Sequence, residues 1–444
     1  MQILSAPNHQ MPLLLAGRDA VAVRILISYR RIMTEITEIP EKSGALHGIR
    51  VIDATQMLAG PLAAMRLGDL GADVIKIEAP LTGEFNRTHG YADVELKGQK
   101  TTFLGLNRNK RSLAIDLKLV DGRELFYDLV KSSDILVQNF RVGTVERLGI
   151  DYQTLKAINP RLIYASITGY GPDGPGAGRP GQDLVLQGYS GSMWFVGSQF
   201  DAPTPGGIPS IDAMTGYQAT IGILAALHAR SITGVGQHVE VDMLSVVMDA
   251  QIQELTTYLN SGVVPRRGVE YTAHAWIGAP YGVYKTSDGW LTLAMCPIDV
   301  LGQALGDERL VKYNKLEDAQ KYTDEIYAII RPQFTDRTTN EWITRLDQFN
   351  IWSGPVYDYP ELEQDEQVTS RGLIVEIEHP TVGRMRTVAP PIRMSENPTS
   401  IRRAAPLLGA DTRRILSEEL GYSEQYIEDL VDRGVVKVDN KEVI

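Results

Sequence analysis

Residues 48–80 read GIRVIDATQMLAGPLAAMRLGDLGADVIKIEAP. The run GIRVIDAT is short, apolar and closed by a polar turn, which predicts a strand. AGPLAAMRLGDLGA has helical spacing, and DVIKIEAP predicts a second strand. Together they predict a βαβ unit with a right-handed crossover. The same texture continues outward. RSLAIDLK (111–118), DILVQNF (134–140) and LIYASITGYG (162–171) predict strands, with the amphipathic GRELFYDLVKSS (122–133) between two of them. This alternation predicts an open, mostly parallel α/β sheet covered on both faces, with ligands at the carboxyl ends of its strands.

Beyond this sheet the chain changes character. GYGPDGPGAGRPGQD (169–183) is a Gly/Pro-rich loop of the kind that carries function more often than it spaces. The segment from Asp212 to Ser231 is a strong helix, apolar enough to predict burial. A further strand and a long helix follow within 236–259. From about residue 265, APYGVYKTSDGWLTLAM (279–295) and LIVEIEHPTVGRMRTVAPPIRM (373–394) predict hairpins. Residues 412–436 predict two helices.

The formal charge of −11 argues against a nucleic-acid partner. No apolar run reaches the roughly 18 residues that span a bilayer. Cys296 is the sole cysteine, so no intrachain disulfide or cysteine metal cluster can form, which suits a cytoplasmic protein. It lies in LTLAMCPI, a buried strand by its texture. Residues 1–32 carry four Arg and one acid, as a transit peptide does, but Met33 opens a credible natural start, and a disordered tail is the simpler reading.

No GxGxxG follows the first strand, and GxxxxGK[ST], HExxH and GxSxG are missing. The histidines are scattered, so no metal site is expected. A nucleophile, if there is one, must then be a carboxylate or hydroxyl. Two basic clusters flank the expected sheet: Arg108, Lys110 and Arg111 before one strand, Arg141 and Arg147 after another. They serve either as solvated strand-end charges, the simpler reading, or as a polyphosphate site. Asp212, in GGIPSIDAMTGYQA (206–219), precedes the apolar helix. Locally it reads most simply as an N-cap. The same position also suits an ionised carboxylate that attacks a thioester. Asp183 in GQDLVLQGYSG is a second candidate of the same kind.

Taken together, these blocks resemble the class III CoA-transferase family, which includes formyl-CoA transferase, carnitine CoA-transferase and the α-methylacyl-CoA racemases. The resemblance runs from about Gly48 to the C-terminus and is carried by residues 48–80, LNRNKRSLAIDLK, DILVQNFRVGTVERLGID, INPRLIYASITGYGPDGP, GQDLVLQGYSG, TGVGQHVEVDM and APLLGADT, in order. It implies a Rossmann-like large domain, a smaller α+β domain and a C-terminal return to the large one, in an interlocked homodimer. The expected division is a tail at 1–44, the large CoA-binding domain at 45–235, linker helices at 236–264, the small domain at 265–385 and the returning segment at 386–444.

By resemblance Asp212 is the nucleophile, and coenzyme A, entering as acyl-CoA substrate rather than as a resident cofactor, contacts Leu58, Ala59, Asn109, Lys110, Asn139, Phe140, Arg141 and Arg147. The partner substrate is a small carboxylic acid. Three departures stand out. Ala79 replaces an Arg that meets the adenine in family members. Gln182 stands where the racemases place a His, and an amide is no base near neutral pH. AHAWIGAPYG (273–282) replaces a glycine run of the formyl-CoA enzymes. The expected activity is CoA transfer through an aspartyl anhydride and an aspartyl-CoA thioester. The alternatives are an acyl-CoA racemase on the same fold and a non-catalytic CoA-binding protein.

Overall fold

The computed structural model describes residues 44–439. The expected tail therefore lies outside the described residues, apart from Gly44. The elements that position the site are β1 (Arg50–Ala54), α1 (Ala59–Asp69), β2 (Asp73–Glu78), β3 (Lys110–Ile115), α2 (Val120–Lys131), β4 (Ile135–Gln138) and β5 (Ile163–Thr168). After them come α3 (Asp183–Ser190), α4 (Ser210–Thr233), β6 (His238–Asp242), α5 (Met243–Ala250), α6 (Ile252–Ser261) and, at the far end of the chain, β7 (Val436–Lys437).

One seven-stranded sheet runs β7-β3-β2-β1-β4-β5-β6. The first six strands are parallel, in the 3-2-1-4-5-6 order of a Rossmann sheet. Neighbouring residues on a strand feed opposite cores, which is why these strands read as unbroken apolar runs. Ile52, Ile75, Leu113 and Leu136 join α2 and the C-terminal residues Ile415, Leu416, Ile427 and Leu430. Val51, Val74, Ile135 and Val137 join Ala63 and Leu67 of α1 and Ala219 and Ile223 of α4. The strand order reverses between β1 and β4, so their carboxyl ends open a crevice there.

The C-terminal segment returns to this sheet, but not as helices alone. Val436 and Lys437 pair antiparallel with Ile115 and Ala114 and close the β3 edge. Both expected hairpins are present. The first, Gly282–Lys285 with Trp290–Leu293, gains a third strand at Ser353–Pro355. The second pairs Ile374–His379 with Gly383–Val388. A separate apolar cluster runs from Ala279 to Ile351.

The helix expected to be buried, α4, is buried on one face only. Ala219, Ile223 and Ala226 pack on the sheet and Ile211 packs on α3 and α5, whereas Tyr217, Ile221 and Ile232 are exposed. Its contact with α1 is close. A Cβ on Gly216 would lie 2.7 Å from the Ala59 carbonyl oxygen. Gly216→Ala is therefore expected to push the two helices apart and cost about 1–3 kcal/mol, read as a lower denaturant midpoint. An unchanged midpoint would show that this contact relaxes freely.

Candidate active site

The contact between Gly216 and Ala59 sets the start of α4 beside the loop that follows β1. Asp212 lies in the first turn of α4 and is half-buried. It does not cap its own helix. Asp183, at the start of α3, reaches across, and its Oδ2 accepts hydrogen bonds from the backbone N–H of Ile211 (2.8 Å) and Asp212 (3.0 Å). Gln187, one turn along α3, donates to Asp183 Oδ1, and its Oε1 accepts from the Gly206 N–H at 2.8 Å. Asp183 is buried, so the bridge is shielded from water. No residue among those described donates to the Asp212 carboxylate. Burial, and then the neighbouring charge of Asp183, push Asp212 up from the ordinary carboxylate range to about 6. A carboxylate in this state is ionised at neutral pH yet basic enough to be a nucleophile.

The first turn of α4 has no amide to spare. Ser210 N–H bonds to the Ile208 carbonyl and Ala213 N–H to that of Pro209, and Asp183 takes the two between. By contrast, α1 carries no side-chain cap, so the first-turn N–H groups of Ala59 and Gly60 are not taken by a capping side chain.

Leu58, Ala59, Asn139, Phe140, Arg141 and Arg147 gather at the switch point between β1 and β4. Asn139 ties the two loops together: its Oδ1 accepts from Gln56 N–H at 2.9 Å and its Nδ2 donates to Gln56 O at 2.8 Å. Arg141 and Arg147 are exposed beyond β4, where an anionic ligand can reach them. Asn109 and Lys110, which the resemblance also implied as CoA contacts, stand apart from the group. They sit at the amino end of β3, and a parallel sheet presents its ligand at the opposite end. Both are buried. Asn109 Nδ2 donates to Asp69 and to the Ser400 carbonyl, and its Oδ1 accepts from Arg402 N–H. Lys110 Nζ donates to Asp53, the Pro61 carbonyl and Asn107. Burial draws the Lys110 ammonium down to about 8 against the pull of Asp53. Arg108 and Arg111 of the same cluster are bound to Asp69, and to Asp73 and Glu419, so these cations brace the fold.

Below the switch point, a cavity of about 190 Å³ is bordered by the ends of β1, β2 and β3 and by Phe140 and Glu84. A larger cavity, of about 560 Å³, lies beyond the far end of α3 and takes in Trp194, Phe195 and Trp276.

A Rossmann-ordered sheet with a crevice at its switch point, and a half-buried carboxylate of raised basicity at the start of α4, define an α/β protein with a ligand cleft at the carboxyl ends of its strands. The comparisons agree with that class. Residues 46–412 match CoA-transferase family III, and the chain belongs to this family. It is 34% identical over 401 residues to succinyl-CoA:glutarate CoA-transferase of Mus musculus, covering 88% of this chain and 90% of that protein. It is 33% identical over 403 residues to the succinyl-CoA–L-malate CoA-transferase beta subunit of Chloroflexus aurantiacus, covering 88% and 98%. Among solved structures, a CAIB/BAIF family protein from Brucella suis superposes with a TM-score of 0.74 at 32% identity, covering 85% of this chain and 99% of that one. Among the described residues, no helix is long and apolar enough to cross a membrane.

Proposed function

We propose that the protein moves CoA from an acyl-CoA to a free carboxylic acid, with Asp212 as the covalent nucleophile. One observation carries this reading. The α4 start has a capping carboxylate, and it belongs to Asp183, which leaves Asp212 unengaged and raised in basicity.

The steps balance without a further reagent. An Asp212 oxygen attacks the thioester carbonyl of the donor, the C–S bond breaks, and the CoA thiolate leaves a mixed anhydride. The thiolate attacks the aspartyl carbonyl and expels the donor carboxylate, giving aspartyl-CoA. The acceptor carboxylate then attacks that thioester, forming a second anhydride and thiolate. The thiolate finally attacks the acceptor's carbonyl and restores the Asp212 carboxylate. The amides at the start of α4 are taken, so the uncapped first turn of α1 is the nearer source of donors for the transient oxyanions, each worth about 3 kcal/mol. The relatives' names, with succinyl-CoA, glutarate and malate, support dicarboxylic acids as the exchanged acids. The test is to incubate the protein with succinyl-CoA and glutarate, trap with hydroxylamine and map the label by mass. Modification of any carboxylate other than Asp212 would refute the assignment.

The racemase reading has less support. Gln182, directly before Asp183, is exposed and has no basic nitrogen to move an α-proton. Deuterium uptake at the α-carbon of a branched acyl-CoA, in heavy water with no second acid, is expected to be absent. Uptake dependent on Asp212 would favour racemisation instead.

We also propose an interlocked homodimer. The open face of α4 exposes Tyr217 and Ile221, and the helices that follow expose Met248, Ile252 and Leu259. Exposed apolar side chains on successive helices favour an interface. Light scattering is expected to return twice the chain mass, and a monodisperse monomer would refute it.

A further inference from the structure

We infer that Gln187 is a positioning residue for the nucleophile: its side-chain amide fastens the loop ahead of α4 to the carboxylate that caps α4. The inference deepens the reading of Asp212 as nucleophile and rests on it.

Gln187 follows Asp183 by four residues, so the two side chains share one face of α3. Leu186 turns instead into a small core with Ile211, Met243 and Val247, which sets the rotation of α3 against the start of α4. Gln187 is only 5% exposed, and its amide is used at both ends. Nε2 donates to Asp183 Oδ1, and Oε1 accepts from the Gly206 N–H at 2.8 Å. The reverse orientation would set oxygen against carboxylate and N–H₂ against N–H, so the network admits only one. The far end of α3 closes on the same residue, where the hydroxyls of Ser190 and Ser192 both donate to the Gln187 carbonyl at 3.1 Å.

One neutral amide thus joins two parts of the support beneath Asp212. Asp183 Oδ2 accepts from the N–H groups of Ile211 and Asp212. A carboxylate is planar, so a donor on Oδ1 fixes the direction of Oδ2. Gly206 opens the stretch 206–209 that runs into α4. Among the described residues no other side chain bonds to the backbone of this stretch, and its Ile208 is 68% exposed, so little packing holds it. Gly206 is itself exposed, and water can take its N–H. The bond to Gln187 therefore directs the loop rather than rescuing a buried donor. Asp183 receives three donors and Asp212 none, which settles the negative charge on the cap and leaves the basic oxygen on the nucleophile.

Only a neutral group that both donates and accepts can make this bridge, and that requirement supplies the test. Gln187→Leu keeps the bulk and removes both bonds. Its kcat for CoA transfer is expected to fall about 30-fold, with the acyl-CoA KM within about twofold of wild type, because no ligand contact is lost. Gln187→Glu makes the bridge only while the introduced carboxyl is protonated, when its O–H donates to Asp183 and its carbonyl accepts from Gly206. Once ionised, it sets a second carboxylate against Asp183. The ratio of its kcat to that of wild type is expected near unity at pH 5.5 and about tenfold or more lower at pH 8.5. The ratio removes the acid limb of Asp212 that both proteins share. Tyr91, which also feels Asp212 and Asp183, is pushed up from its ordinary range by burial and by those charges and does not titrate there. A residue that merely fills space would give a flat ratio. That flat ratio, or a Gln187→Leu protein of unchanged kcat, overturns the inference. Should Gln187→Leu not fold, the Gln187→Glu profile alone decides. Transfer that survives Asp212→Asn would instead overturn the reading of Asp212 as nucleophile.

Discussion

Asp212→Asn is expected to abolish CoA transfer, lowering kcat by roughly 10³-fold or more, and at the same time to make the folded protein more stable at pH 8. The second effect follows from the first residue's burial. The folded-state value of Asp212, about 6, lies above its ordinary 3.8. Between those values the folded protein binds the proton more tightly than the unfolded chain does, so stability falls as pH rises through that window. Above about pH 6 the ionised group imposes its full cost. The shift corresponds to about 3 kcal/mol, and solvent access to a half-buried group reduces it to about 1–3 kcal/mol. Asparagine has the same shape without the charge. The variant should therefore outlast the wild type in denaturant at pH 8, with an advantage that shrinks from pH 6 and is gone near pH 3.5. The wild-type kcat/KM should meanwhile fall tenfold per unit below about pH 6, as the nucleophile becomes protonated. An Asn variant that retains transfer, or that loses stability at pH 8, would remove Asp212 from the chemistry or from the strained environment assigned to it.

Much of the fold is legible in residues 48–80 because a strand buried on both faces must be apolar at consecutive positions, as Val51 and Ile52 are. What escapes the sequence is set by distant partners. Val436 and Lys437 form a strand only because β3 offers a free edge. The outer face of α4 carries Tyr217, Ile221 and Ile232, which find no cover among the described residues. Asn109 and Lys110 read from the sequence as lying before a strand, and what the sequence does not show is the distant partners, Asp69, Ser400 and Asp53, that bury them. Arg141 and Arg147, equally basic, stand at the carboxyl end. The same limit applies to Asp212. Its place before a helix fits a cap, and the competing cap lies 29 residues back in the chain, on another helix.

That distant cap makes Asp183 the second position of large effect. Its single Oδ2 accepts from two buried N–H groups at the turn that carries the nucleophile, so Asp183→Ala leaves both unpaired. Each orphan costs about 1–3 kcal/mol, and loosening the turn is expected to lower kcat by about 100-fold. Asp183→Asn separates the geometric role from the electrostatic one. The amide oxygen still accepts from the turn, so the fold should lose little. The negative charge that helps hold Asp212 high is gone, however, so the acid limb of kcat/KM should move below pH 6 toward the ordinary carboxylate range. A merely structural residue would lower stability in both variants and leave that limb where it was. If the limb does not move in Asp183→Asn, burial alone sets the basicity of Asp212, and Asp183 acts as a cap and nothing more.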